Sequence, residues 1–161
     1  MNILVLNAGS SSLKYALIQL PHATHLLSGL IENIASQTSQ HNYKIGNTAY
    51  QNNTVITDYA AAFAAMFAVL TQAGITIEQL NAIAHRVVHG GALFQQPTAM
   101  NAATITALKQ LNPLAPLHNP ANILGIETAL HYAPHLPQIA VFDTAFHANL
   151  PDYAYRYAIP K

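Results

Sequence analysis

The first twenty residues constrain the fold most. Ile3 to Leu6 is a continuous β-prone run, Ala8-Gly9-Ser10-Ser11-Ser12 is turn chemistry, and Leu13 to Leu20 alternates as a second strand. The segment reads as a hairpin. A third strand fits His25 to Ile31, and Tyr43-Lys44-Ile45, Gly46-Asn47 and the polar β-prone stretch to Ile56 suggest another, more exposed hairpin, near residues 41–57. Then the period changes. With Thr57 or Asp58 as N-cap, Phe63, Phe67 and Leu70 fall at helical spacing in an alanine-rich segment that runs to about Gln72 and closes at Gly74. Ile83 to Val88 reads as a strand ending at Gly90-Gly91, and Ala102 to Leu111 as a helix stopped before Pro113. Asn119 can cap a further helix with Pro120 at its first position, the stripe Ile123, Ile126 and Leu130 buried, and Pro134 ending it. Gln138 to Phe142 is a last buried strand, and the tail with Tyr153, Tyr155 and Tyr157 has no obvious core of its own. Strands followed by alternating helix and strand imply an α/β layer structure with a mixed sheet.

Composition narrows the partners. In 161 residues, 52% are hydrophobic, enough for a sizeable single-domain core, and only 7% are charged, six Lys/Arg against six Asp/Glu. Neither the basic footprint of a nucleic-acid binder nor an acidic tail is present, and near-zero net charge favours association. Without cysteine there is no disulfide framework or thiolate metal site. The longest apolar stretch, Tyr59 to Leu70, falls short of the roughly 20 residues that span a bilayer. The apolar start lacks the basic region and cleavage site of a signal peptide, so no membrane partner and a cytoplasmic location are expected.

Scarce charges are informative where they interrupt apolar strands. Arg86 lies between Ile83-Ala84-His85 and Val87-Val88, and Asp143 follows Ile139-Ala140-Val141-Phe142. Ligands in open α/β sheets bind at strand carboxyl ends, which suits both residues to a cleft; a buried Arg–Asp structural pair is the alternative. The Asn7 to Lys14 turn offers backbone N–H groups, hydroxyls and one cation to phosphate oxygens, or is simply a serine-rich turn. It is not a Walker loop, which requires a helix afterwards. His85 and His89 have an i, i+4 spacing, but on a strand this is about 13 Å, too far to share a zinc ion. His118, just before a helix, could donate to an anionic ligand or cap the loop.

Taken together, these segments resemble a known family. Asn7-Ala8-Gly9-Ser10-Ser11-Ser12-Leu13-Lys14 and His85-Arg86-Val87-Val88-His89-Gly90-Gly91 are similar to the first two acetate kinase motifs. Pro116-Leu117-His118-Asn119-Pro120-Ala121-Asn122 and Val141-Phe142-Asp143-Thr144-Ala145-Phe146-His147 resemble two more, in the family's order and at similar spacing. The resemblance implies an actin-like (ribonuclease H-like) fold, a mixed sheet flanked by helices, and reversible phosphoryl transfer from ATP to acetate, giving acetyl phosphate and ADP. It implies that Asn7 helps hold Mg²⁺, that Ser10, Ser12 and Lys14 contact nucleotide phosphates, and that Arg86 binds acetate or acetyl phosphate. Asp143 would be the catalytic carboxylate, His118 a further donor, and Val88 with Leu117 the lining of the methyl pocket.

The departures set further expectations. Full-length relatives are at least about twice as long, and their second domain supplies most of the adenosine site, another catalytic His and Arg, and an acidic magnesium ligand. Residues 1–161 are therefore expected to be the amino-terminal domain without that second catalytic domain, inactive alone, and not the family's usual homodimer. Ala92 stands where an acidic residue is common. A propionate kinase and a non-catalytic acetyl phosphate-binding module remain as alternatives.

Overall fold

The first strands, an apolar run followed by an alternating segment and then more polar ones, lie side by side in chain order. The structure, a computed structural model, describes residues 1–156. β1 (Asn2–Ala8), β2 (Leu13–Gln19), β3 (Thr24–Glu32), β4 (Gln40–Ile45) and β5 (Thr48–Asn52) form an antiparallel meander. α1 (Tyr59–Gln72) then crosses to β6 (Ala82–Val87), which pairs parallel with β1. After β7 (Thr98–Ala99), α2 (Ala102–Lys109) and α3 (Asn119–Tyr132), β8 (Gln138–Phe142) pairs parallel with β6. Among the described residues these strands make one sheet in the order β5-β4-β3-β2-β1-β6-β8-β7. A single helical turn, α4 (Asp152–Tyr155), lies in the tail; Tyr157 falls outside the described residues.

Alternation decides the layers. Leu4, Leu6 and Ala8 of β1 point to the face where Phe63, Met66 and Leu70 of α1 and Ala129 of α3 pack, in one buried cluster. At the far end Val87 and Phe142 meet Ile105 and Leu108 of α2 and Ile123 and Ile126 of α3 in a second. Ile3, Val5 and Asn7, the intervening residues of β1, are only half-buried on the opposite face.

Local chemistry accounts for the element ends. Asp58 accepts from the Ala61 N–H at 2.8 Å and caps α1, and Gly74, at φ +73°, terminates it. Several expectations move. The polar strand stops at Asn52, and Ile56 forms only an isolated bridge with Ser36. α2 ends at Lys109, Pro113 sits in a separate 3-10 turn (Asn112–Leu114), and Leu130 is only half-buried, with Ala129 taking the buried position. α3 begins at Asn119 rather than being capped by it; His118 is the cap residue and its side chain makes no capping bond.

Two histidines are sealed into the helix-covered side. His41 Nε2 lies 2.7 Å from the Tyr15 hydroxyl, and His85 Nε2 lies 2.7 Å from Gln138 Oε1. Each is 3% exposed. Desolvation pushes both down to about 4, so the rings stay neutral when folded. The unfolded chain binds protons at these sites below about pH 6.5 while the native one does not, so stability is fully present above that pH and falls as pH drops toward 4. Urea unfolding should show the midpoint decline setting in between pH 6.5 and 5, above the range in which carboxylates titrate, and a midpoint flat across that interval would refute it.

Candidate functional site

Three parallel strands end side by side, and their register delivers the chemistry. Leu6 pairs with His85 and Val87 with Phe142, so Asn7, Arg86 and Val141 project from the face opposite the helices, at the carboxyl ends of β1, β6 and β8. Asp143 follows β8 at the start of a 3-10 turn, Asp143–His147. Arg86 grips it in a fork: Nε donates to Oδ1 at 3.1 Å and Oδ2 at 3.2 Å, and Nη2 donates to Oδ2 at 2.7 Å. Nη1 reaches Asn7 Oδ1 at 3.4 Å. The hydrogen bonds to Asp143 raise the guanidinium above its usual range. The pair is no buried structural bridge, since the two side chains are 51% and 42% exposed. Arg86 retains N–H groups on Nη1 and Nη2 beyond those used here, enough to accept an anion from solvent.

Beside this trio lies the β1–β2 hairpin. Gly9 N–H donates to Ser12 O at 2.8 Å, closing the turn, and Ser12 Oγ sits where a Cβ on residue 9 would come within 2.8 Å, so a larger residue there would have to turn the Ser12 side chain aside. The buried Tyr59 hydroxyl holds the hairpin from below, donating to the Gly9 and Ser12 carbonyls. Among the described residues, no group accepts from the Ser10 or Ser11 N–H. Ser10 is exposed, Ser12 half-buried, and Lys14 pairs with Asn7 in register, so its exposed side chain leaves the sheet on the same side as Asn7 and Arg86.

The remaining candidates border the loop after β6. Val88 is half-buried in that loop. Leu117 is 78% exposed and His118 exposed at the start of α3, so neither closes a pocket within the described residues. His85 and His89 do not form a metal pair: His85 is buried with Gln138, while His89 Nδ1 accepts from the Gly91 N–H at 2.9 Å. No group of three or more His, Asp or Glu among the described residues could hold a metal unaided. Asn7 Oδ1 and the Asp143 carboxylate are hard oxygen donors, which suits a Mg²⁺ ion that takes its other ligands from phosphate and water.

Several supporting roles escaped the sequence reading: that of Tyr59 under the hairpin, and those of Asn119, read as a cap, Asn122 and Thr144, which bind the backbone after β6. For the asparagines a signal existed. They stand three apart, in line with Ile123 and Ile126 on the buried side of α3, where an amide needs a specific partner.

Comparison with known proteins places this arrangement. No helix among the described residues is long and apolar enough to cross a membrane. The chain is 47% identical over 165 residues to an acetate kinase of Streptomyces coelicolor, covering 99% of this chain and 40% of that one. It is 44% identical over 160 residues to an acetate kinase of Pseudomonas aeruginosa, with the same coverage. Among solved structures, a propionate kinase from Francisella tularensis matches with a TM-score of 0.89 at 42% identity, covering 99% of this chain and 41% of that one. Porphyromonas gingivalis acetate kinase matches with a TM-score of 0.90 at 33% identity, again covering 99% and 41%. The shared architecture is the actin-like mixed α/β fold. The chain spans about 40% of the length of the relatives it matches. Since the acetokinase family model also matches residues 2–161, taking in the hairpin, Arg86 and Asp143 together, the chain belongs to the acetokinase family.

Proposed function

We propose that residues 1–161 are the amino-terminal domain of an acetate kinase, contributing the acyl-binding and part of the phosphate-binding site for reversible phosphoryl transfer between ATP and acetate. The observation that carries this is the convergence of Asn7, Arg86 and Asp143 at three adjacent strand ends, beside a hairpin with free N–H groups. In the forward direction an acetate oxygen bonds to the γ-phosphorus as the bond to ADP breaks. Arg86 orients the carboxylate and offsets charge on the moving phosphoryl group. Acetate carries no proton near neutral pH, so Asp143 has none to abstract; its fork with Arg86 makes it the group that aims the guanidinium. Ser10, Ser12 and Lys14 contact the nucleotide phosphates, His118 donates to the substrate, and Val88 with Leu117 borders the acyl methyl. Mg²⁺, held through Asn7 and Asp143 oxygens, would offset phosphate charge when bound. Cytoplasmic ATP is the co-substrate, and neither nucleic acid nor a membrane takes part.

A propionate preference is a second reading, supported by the 42% identity to a solved propionate kinase and by the exposure of Leu117, which leaves the acyl side open. The deciding experiment uses the purified 161-residue chain. Calorimetry should show acetyl phosphate binding that is lost in Asp143→Ala, with acetate and Mg-ATP giving no acetyl phosphate above that control and a monomeric mass by light scattering. Binding equal in chain and control would overturn the reading. Turnover that depends on Asp143 would show instead that the chain completes a site, by oligomerising or otherwise. Tight acetyl phosphate binding unaffected by ADP or ATP would favour a binding module over a kinase domain.

A further inference from the structure

Four consecutive backbone N–H groups after β6 are each taken by a side chain. Val88 donates to Asn122 Oδ1 at 3.0 Å, His89 to Asn119 Oδ1 at 3.2 Å, Gly90 to Thr144 Oγ1 at 3.0 Å and Gly91 to His89 Nδ1 at 2.9 Å. The loop is half-buried, so these groups need partners, and side chains rather than a neighbouring strand supply them. Two of the four acceptors come from the first turn of α3, and both are sealed, Asn119 at 0% and Asn122 at 4% exposure.

Their donor atoms complete the pattern. Asn119 Nδ2 donates to His89 O at 2.9 Å, so one amide pairs with both backbone groups of His89, as a neighbouring strand would. Asn122 Nδ2 donates to Ala8 O at 2.6 Å, tying the end of β1 to the loop that follows β6. Ala8 is next to Asn7, and Val88 is two residues beyond Arg86. A helix start gains nothing for itself from these contacts, since neither amide caps α3. Apolar side chains would bury the same surface without the need to satisfy two amides.

We propose that Asn119 and Asn122 are positioning residues of the substrate site: the first turn of α3 clamps the ends of β1 and β6, setting the Asn7 to Arg86 spacing and the place of Val88. Leu117 and His118 immediately precede that turn, which places the acyl side of the site next to the clamp. The same bonds remove the N–H groups of residues 88–91 from anion binding, which leaves that task to Arg86 and the hairpin.

The ligand arm of the test rests on the acetate kinase reading; the spectroscopic arm does not. In the 161-residue chain, the Arg86 Nε–H resonance reports the fork with Asp143, and acetyl phosphate titration reports affinity. Asn119→Ala and Asn122→Ala should keep the helix and sheet content, displace or broaden the Arg86 Nε–H resonance, and weaken acetyl phosphate by about tenfold, the effect of losing a pair of hydrogen bonds. Asn119→Asp keeps the acceptor for the His89 N–H but sets an oxygen against the His89 carbonyl in a sealed site, so it should disturb both signals at least as much as alanine does. If Asn122→Ala does not fold, the Asn119 variants decide, since Asn119 grips only the loop. An unchanged Arg86 resonance in folded alanine variants would overturn the proposal and leave the amides as packing groups. Absence of acetyl phosphate binding in the unmutated chain would overturn the functional reading alone, with the resonance still deciding the clamp.

Discussion

Gly125→Ala should destabilise the chain by about 2–3 kcal/mol, the cost of overpacking a tight contact, although alanine is the better helix former. The reason is the approach of α3 to β1. A Cβ at position 125 would lie 2.5 Å from the Ala8 Cβ, and Ala8 is 4% exposed with no space to yield. The helix must retreat, taking Asn122 from the Ala8 carbonyl it meets at 2.6 Å. Both stability and acetyl phosphate binding should therefore fall together. Ala8→Gly removes the opposing methyl, so the double variant should recover most of what Gly125→Ala loses, a coupling readable by urea unfolding. Strict additivity of the two changes would show that the contact is not the cause.

Arg86→Ala should do the reverse: little to stability, much to binding. With both partners about half exposed, the Arg86–Asp143 bridge contributes at most about 1 kcal/mol to folding. For a bound dianion the same guanidinium is the nearest cation at the strand ends, and losing a charge-assisted contact of this kind should weaken acetyl phosphate on the order of a hundredfold. Arg86→Lys should rescue little, because one ammonium cannot hold Asp143 through Nε and Nη2 while also facing Asn7 and a ligand. Full affinity in the lysine variant would mean that charge alone matters, and the fork geometry would lose its role.

The sequence made the elements legible where local chemistry decides them. Asp58, Gly74, the continuous apolar run of β1 and the alternation of β2 brought the helix and hairpin close to their observed limits. Asn119 misled because asparagine beside proline is also good cap chemistry, and only the approach of the β6 loop shows where its amide goes. The two-residue β7 left no periodic trace, since it exists through pairing with β8 rather than through propensity. At the site, Arg86 and Asp143 stood out as charges in apolar strands, but their mutual fork and the link to Asn7 depend on parallel register between segments some 57 and 79 residues apart. Tyr59 carried no motif, and Thr144 lay inside one without a role of its own; both act through hydroxyls on backbone groups that no linear pattern encodes.

The strand order carries a consequence for assembly in time. β1 to β5 neighbour one another in the order of synthesis, so each can zip onto its predecessor by closing a short loop, a fast event. β6 must instead find β1 across α1, and β8 must find β6 across α2 and α3, pairings of high sequence separation that form slowly. The hairpin bearing Ser10, Ser12 and Lys14 therefore needs only local pairing, whereas Arg86 and Asp143 meet only through pairings distant in sequence. The anion site is built on the pairings of greatest sequence separation in the sheet, the class that topology makes slowest to form.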